Sequence, residues 1–156
     1  MDPADLMRRA IDAARRGIAA GNSPFGCAIA VEDRVIAAAH NTVASDVDIT
    51  AHAEINALRA SCQIVGELHL EGAVVATTCE PCPMCAAALH WARVAHVYCG
   101  AGIADAAQAG FNELSVSAAR LLKDGRSSVK LTKGVLADEC RELFAQWLAR
   151  SDRQAY

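Results

Sequence analysis

The alternation of short apolar runs with helical segments is the feature that most constrains the fold of this 156-residue chain. Strand-like runs rich in alanine, valine and isoleucine are predicted over residues 25–31, 35–43, 72–78, 95–100 and 128–132. Helices are predicted over residues 3–21, 51–61, 82–94, 117–123 and 136–149, with Thr50 as the cap of the second. Such an alternation, without a repeat or a low-complexity linker, predicts an α/β fold in which helices cover both faces of a sheet. The pattern does not determine the strand order.

Length and composition favour one globular domain that spans residues 1–156. Hydrophobic residues make up 53% of the chain and charged residues 21%, which argues against extended disorder. The formal net charge of -3 gives no strong field for collecting a polyanion, so a small substrate is expected and nucleic acid is not. Four arginines on the first helix, Arg8, Arg9, Arg15 and Arg16, are more simply a solvated helix face than a phosphate site.

Cysteine usage predicts the compartment. Seven cysteines cannot all pair within one chain, and the start of the sequence lacks a charged-then-apolar signal segment. We therefore expect a cytoplasmic protein with free thiols. No apolar run approaches the roughly 18 residues that a bilayer requires, so no membrane association is expected.

Two short motifs carry chemistry. Cys82 and Cys85 lie three apart at a predicted helix start, where their side chains share a face and can converge on one ion. At another helix start stand His52 and Glu54. One imidazole and two thiolates leave a fourth tetrahedral position open, which is typical of a catalytic zinc site. Glu54 is two residues from His52 and so off its helix face, which suits a proton carrier better than a fourth ligand.

The two cysteines of this motif are also compatible with non-catalytic roles. A Cys-x-x-Cys pair alone also fits a redox motif or half of a structural zinc site. Cys79 precedes Cys82 by three residues and could close a four-ligand structural shell, which would make the protein a catalytically silent zinc-binding assembly module. Cys27, Cys62, Cys99 and Cys140 lie in apolar runs and are predicted to belong to the core.

His-x-Glu followed by Pro-Cys-x-x-Cys is the zinc-site pattern of nucleobase deaminases, and the sequence resembles the cytidine deaminase superfamily over nearly its whole length. Its flanking segments are most similar to the bacterial guanine deaminases. The segments that carry the resemblance are Ser23-Pro24-Phe25-Gly26, His40-Asn41, Thr50-Ala51-His52-Ala53-Glu54, Cys79-Glu80-Pro81-Cys82-Pro83-Met84-Cys85, His90-Trp91-Ala92-Arg93 and Ala106-Ala107-Gln108-Ala109-Gly110-Phe111.

The resemblance implies a three-layer α/β/α fold with a central five-stranded mixed sheet, a homodimer with one Zn²⁺ per subunit, and hydrolysis of guanine to xanthine and ammonia. It further implies that Asn41 hydrogen-bonds the purine and that Phe25 and Trp91 shape a planar pocket. Glu113 would be a second proton shuttle, although Asn112 stands where the family often has an acid. Residues 140–156 would form a swapped or capping segment in which Tyr156 covers the pocket.

Alternative substrates share the same zinc motif. Deamination of adenosine in tRNA requires that the protein bind a folded polyanion and extrude its target base. The negative net charge of this chain argues against binding of such a polyanion. Cytosine or another aminated heterocycle is also compatible with the motif, because pocket shape and not zinc chemistry decides the substrate.

Overall fold

The computed structural model describes residues 1–156 and contains five strands and seven helices. In chain order the elements are α1 (Pro3–Ala19), β1 (Gly26–Val31), β2 (Arg34–His40), α2 (Val43–Asp46), α3 (Ala53–Val65), β3 (Val74–Cys79), α4 (Pro83–Trp91), β4 (His96–Ala101), α5 (Ile103–Gln108), α6 (Ala118–Asp124), β5 (Lys130–Lys133) and α7 (Ala137–Leu148).

The strands form one mixed sheet in the order β2-β1-β3-β4-β5. Strand β1 pairs antiparallel with both β2 and β3, whereas β3, β4 and β5 run parallel to one another. The predicted five-stranded mixed sheet is therefore confirmed. Because β3 and β4 are parallel neighbours, their carboxyl ends open on the same edge of the sheet, which is where ligands bind in open α/β folds.

Two apolar cores cover the two faces of the sheet, which confirms the three-layer α/β/α architecture. Alternate residues of β1 point to opposite faces, as the period of two in a strand requires. Ala28 and Ala30 pack in the core formed with α1 and α7, whereas Cys27 and Ile29 pack in the core formed with α3 and α4. The sheet thus buries both faces and holds its carboxyl edge rigidly beneath the loops that follow.

The predicted cap of the second helix is wrong. Thr50 is not the N-cap, because its backbone N–H and its hydroxyl both donate to Oδ1 of Asp48, at 2.8 and 2.7 Å. The helix begins two residues later, with His52 as the N-cap. His52 therefore has extended backbone geometry and projects from the end of α3.

Two short helices were not predicted from the sequence. Helix α2 has four residues and α5 has six, and both are shorter than two turns, so neither displays a full period of apolar residues. None of the helices combines the length and the apolar character that a membrane span requires.

Candidate active site

Three side chains converge at the carboxyl edge of the sheet. The potential ligand atoms of His52, Cys82 and Cys85 all lie within 4.8 Å of one another. Nδ1 of His52 is 3.7 Å from Sγ of Cys82 and 3.5 Å from Sγ of Cys85. His52 is the N-cap of α3 and Cys82 the N-cap of α4, so two helix N-termini direct their positive ends at the same point.

The charges of this trio suit a divalent cation. The hydrogen bond with Cys85 lowers the pKa of Cys82 to about 4 against the opposing effect of burial, and His52 assists. The same bond and burial raise the pKa of Cys85. Burial lowers the pKa of His52, but Cys82 and Glu54 outweigh it and the pKa is raised. The lowered pKa of Cys82 favours its thiolate form, which is the form in which a cysteine binds a metal, and a metal would require the same form of Cys85.

Cys79 stands outside the trio. Its thiol donates to the backbone carbonyl of Gly102 at 3.5 Å, and it does not belong to the group of atoms that could hold an ion. A shell of one histidine and two cysteines leaves the fourth tetrahedral position to a small molecule, as in catalytic zinc sites. The closed four-ligand site that the sequence left open is therefore not the arrangement observed.

Glu54 lies beside the trio in the first turn of α3, and only 6% of its surface is exposed. The hydroxyl of Thr77 on β3 donates a 2.8 Å hydrogen bond to Oε1 of Glu54. Burial raises the pKa of this carboxyl, whereas His52 and Thr77 lower it in part. A buried carboxyl with a raised pKa is suited to exchanging protons near neutral pH.

Asn41 and Tyr156 form the opposite side of the cavity. Asn41 is completely buried, its Oδ1 accepts from the N–H of Val43 at 3.1 Å, and its Nδ2 donates to the hydroxyl of Tyr156 at 2.5 Å. The Tyr156 ring packs against the rings of His52 and Phe111, with centroids 5.5 and 5.4 Å apart. Tyr156 therefore lines the cavity beside the trio.

The cavity is lined by Phe25, Asn41, His52, Glu54, Cys79, Glu80, Cys82, Glu113 and Tyr156. Phe25 is held edge-on between Phe111 and Phe144, with ring centroids 4.8 and 5.7 Å away. Glu113 is half-buried, and burial together with the nearby Cys82 raises its pKa. The structure thus brings seven of the predicted site residues to one cavity, and Cys85 lies directly beneath it as the third member of the trio.

Trp91 does not reach this cavity. It occupies the last position of α4 and is 76% exposed, with its ring packed edge-on against that of His90. Because α4 begins at the trio and rises about 1.5 Å per residue, its final residue lies roughly 13 Å along the helix from Cys82. The expectation that Trp91 shapes the pocket is therefore not met within one chain.

Glu80 is a cavity residue that the sequence interpretation missed. Its side chain is 6% exposed and accepts two hydrogen bonds from Nζ of Lys133, at 2.8 and 2.9 Å, and one from the N–H of Ala118 at 3.0 Å. A charged residue between Cys79 and the Pro81-Cys82 pair was the available signal. Its role is to anchor the loop that carries Cys82 to β5 and to the start of α6.

The fold and the trio together define a zinc-dependent deaminase, with an open metal shell beside a buried carboxyl. Residues 2–101 match the cytidine and deoxycytidylate deaminase zinc-binding region. The chain belongs to this deaminase family, and His52, Cys82 and Cys85 are the residues whose geometry could hold its zinc ion.

Relatives fall into two groups within the family. Over 114 residues the chain is 40% identical to guanine deaminase of Bacillus subtilis. The matched region covers 72% of this chain and 73% of the relative. It is 33% identical to the tRNA-specific adenosine deaminase of the same organism, over 86% of this chain and 81% of the relative. The solved structure of guanine deaminase from Nitrosomonas europaea superposes with a TM-score of 0.87 at 27% identity, covering 96% of this chain and 86% of that one.

Proposed function

We propose that the protein hydrolyses guanine to xanthine and ammonia. The observation that carries the proposal is the contact between the Tyr156 hydroxyl and Nδ2 of Asn41 at 2.5 Å, which closes the cavity over the zinc trio. A pocket covered by the Tyr156 side chain suits a free base. The 40% identity to a guanine deaminase supports the same substrate.

Two neighbouring spaces meet at the site, and both are lined by His52, Cys82, Glu113 and Tyr156. The inner cavity holds Asn41 and Glu54, while a more open groove beside it is lined by Ile49, Met84 and Leu114. We expect a substituent on a bound base, such as a ribose or a polynucleotide, to meet the Tyr156 ring where the two spaces join. We expect the inner cavity to accept the base alone.

The polar groups of the cavity match a purine with an exocyclic amine. Asn41 presents an amide that is fixed by the N–H of Val43 and is suited to bonding a ring edge. Phe25 offers an apolar surface for a planar ring. Glu54 and Glu113 provide two carboxyl groups, so that two separate protons can be moved in one turnover.

Zinc, when bound, lowers the pKa of a coordinated water from about 15.7 towards 7 and so makes it nucleophilic near neutral pH. Glu54 accepts the first proton of the attacking water and delivers it to the ring nitrogen beside the amino-bearing carbon. The new carbon–oxygen bond forms as this carbon becomes tetrahedral. Glu113 transfers the remaining proton of the new hydroxyl group to the amino nitrogen, the carbon–nitrogen bond breaks as the carbonyl forms, and ammonia leaves.

Deamination of adenosine in tRNA is the second candidate, because the tRNA-specific adenosine deaminase of Bacillus subtilis matches 86% of the chain. The charges of α1 argue against it. Arg8 and Arg15 on this helix are paired with Asp5 and Asp12, at 2.6 and 3.4 Å, which weakens the arginine cluster of α1 as a phosphate site. With a net charge of -3, the chain has little to hold a polyanion.

We further propose that residues 1–156 act as one catalytic domain whose segment 140–156 caps the pocket, and that the active form is a homodimer. The capping role is supported by the hydrogen bond from the N–H of Asn112 to the carbonyl of Tyr156, at 3.1 Å. A cytoplasmic location remains our expectation, and it is supported by seven cysteines that are all free of disulfides.

The proposal is tested by identifying the product. Zinc-loaded protein is incubated with guanine, and xanthine is separated by chromatography and quantified together with ammonia. We expect equal amounts of both, and neither with Glu54→Gln protein that carries the same amount of zinc. If the protein formed inosine in a tRNA anticodon stem and left guanine intact, the second candidate, adenosine in tRNA, would be the substrate instead of guanine.

A further inference from the structure

Asn56 lies one turn into α3, outside the cavity, and connects the two segments that carry Asn41 and His52. Its Nδ2 donates to the backbone carbonyl of His40 at 3.0 Å and to the hydroxyl of Thr42 at 2.9 Å, which are the two neighbours of Asn41. A longer contact of 3.3 Å reaches the carbonyl of Ala51, the residue before His52. One amide group therefore holds the backbone on both sides of the cavity.

The acceptors determine the orientation of this amide. Both carbonyl groups, of His40 and Ala51, can only accept hydrogen bonds, so the nitrogen of Asn56 must face them and not its oxygen. A backbone hydrogen bond from the N–H of Thr42 to the carbonyl of Ala51, at 2.9 Å, joins the same two segments directly. The segments therefore have a short backbone link that Asn56 reinforces from one side.

Asn41 depends on this arrangement for its position. Its own side chain is held by the N–H of Val43 and by the hydroxyl of Tyr156, and its backbone N–H donates to the carbonyl of Phe25 at 3.0 Å. None of these contacts ties it to α3, which carries His52 and Glu54. Besides the backbone link from Thr42 to Ala51, the side-chain contacts of Asn56 with His40 and Thr42 join the segment around Asn41 to that helix.

We infer that Asn56 is a positioning residue that fixes the substrate-binding amide of Asn41 relative to the zinc ligand His52. The inference rests on the proposed function for the substrate role of Asn41, but the structural coupling it describes does not depend on which base is bound. Asn56 is neither a cavity residue nor one of the three potential metal ligands. Its contribution is to hold the distance between the group that orients the base and the group that holds the metal.

The direct test measures backbone protection in the zinc-loaded protein. Asn56→Asp replaces the donor by an acceptor of the same shape, and Asn56→Leu removes it without adding charge. We expect the N–H groups of Asn41 and Thr42 to exchange with deuterium at least about tenfold faster in both variants. The control is Leu58→Ala, which truncates a core side chain on the same helix. Unchanged exchange at Asn41 and Thr42 in both Asn56 variants would overturn the inference.

Kinetics on guanine then test whether Asn56 acts through Asn41. We expect Asn56→Leu to raise KM about tenfold with the zinc content retained and kcat changed far less. In an Asn41→Ala background the same substitution should leave KM unchanged, because the group it positions is gone. An equal rise in KM in both backgrounds would contradict the inference. A wild-type protein inactive on guanine would refute the proposed function, and the exchange measurement would still decide the role of Asn56.

Discussion

The hydroxyl of Thr77 on β3 donates a 2.8 Å hydrogen bond to Oε1 of Glu54 on α3. This bond links the sheet to the carboxyl that we propose as the proton carrier. It favours the ionised form of Glu54 and so opposes the effect of burial, which is the larger cause and raises the pKa. Burial is the largest cause of the raised pKa of Glu54, and the Thr77 bond acts together with His52 to lower it in part.

Replacing Thr77 by valine removes this donor at almost constant shape. The pKa of Glu54 then rises further, and because Glu54 must be ionised to accept a proton, the acidic limb of the pH profile of kcat/KM moves to higher pH. Loss of one hydrogen bond should also lower kcat/KM at pH 7 by about two- to tenfold.

The matched control for this substitution is Thr78→Val. The hydroxyl of Thr78 accepts from the N–H of Gly26 at 3.0 Å, so this variant loses a buried hydrogen bond of the same strand without touching Glu54. Its stability should fall while its pH profile stays that of the wild type. An acidic limb that does not move in Thr77→Val would exclude Glu54 as the group that titrates there.

Removing the carboxylate itself gives the largest loss of rate. We expect Glu54→Gln to keep one zinc per chain and to lower turnover by roughly 10² to 10⁴, the range for a missing general acid-base group. Metal content by elemental analysis and single-turnover rates are measured on the same sample. Turnover close to that of the wild type would assign the proton transfers to another residue.

The open metal shell predicts different results for neighbouring cysteines. Cys82→Ala and Cys85→Ala remove ligands, so each variant should lose at least about tenfold in zinc affinity, as measured by competition with a chromophoric chelator. Cys79→Ala should bind zinc like the wild type, because its thiol contacts the carbonyl of Gly102. A zinc affinity that falls equally in Cys79→Ala would restore the four-ligand structural site.

The C-terminal tyrosine predicts selectivity for the free base. Removal of Tyr156 opens the cavity to the outer groove, so the ratio of kcat/KM for guanine to that for guanosine should fall by at least about tenfold. Tyr98→Phe is the control, since Tyr98 stacks on His96 at a centroid distance of 4.2 Å on β4 and is not part of the cavity. An unchanged ratio after removal of Tyr156 would show that the tail does not select the substrate.

Packing of α1 on the sheet predicts a large loss of stability for Gly26→Ala. The added methyl group would overlap the carbonyl oxygen of Ala10 and lie 2.7 Å from the backbone N of Ala14, so neither neighbour can move without displacing the helix. We expect the free energy of unfolding to fall by at least about 3 kcal/mol. At Gly102 the nearest atom is 3.7 Å away, so Gly102→Ala should unfold in denaturant close to the wild type.

The layers of the fold could be predicted from the sequence because the central strands are largely apolar runs, buried on both faces, and the long helices display an apolar face. The start of α3 could not be predicted from Thr50. The carboxylate of Asp48 accepts hydrogen bonds from both the N–H and the hydroxyl of Thr50, so Thr50 does not cap the helix. Any Ser or Thr before a helical segment resembles a cap in sequence. The strand order β2-β1-β3-β4-β5 depends on non-local pairings that the residue pattern does not encode.

The parts of the candidate site that belong to a motif of fixed spacing could be predicted from the sequence. The contacts between segments that are distant in the chain could not. His52, Cys82 and Cys85 converge because each stands in the first turn or at the cap of a helix that begins at the carboxyl edge of the sheet. The salt bridge between Glu80 and Lys133 joins residues 53 apart, and no local pattern predicts it. The prediction that Trp91 lies at the pocket rested on resemblance alone. Trp91 is the last residue of α4, so the length of this helix places it far from the trio.

The most direct test of the central claim is ammonia release by zinc-loaded protein supplied in parallel with guanine, guanosine, cytosine, cytidine, adenine and a tRNA anticodon stem. We predict rapid release from guanine and at least about tenfold lower kcat/KM for every other compound. Release from the anticodon stem or from cytosine, with guanine untouched, would contradict the assignment of guanine while leaving the zinc site and Glu54 in their roles.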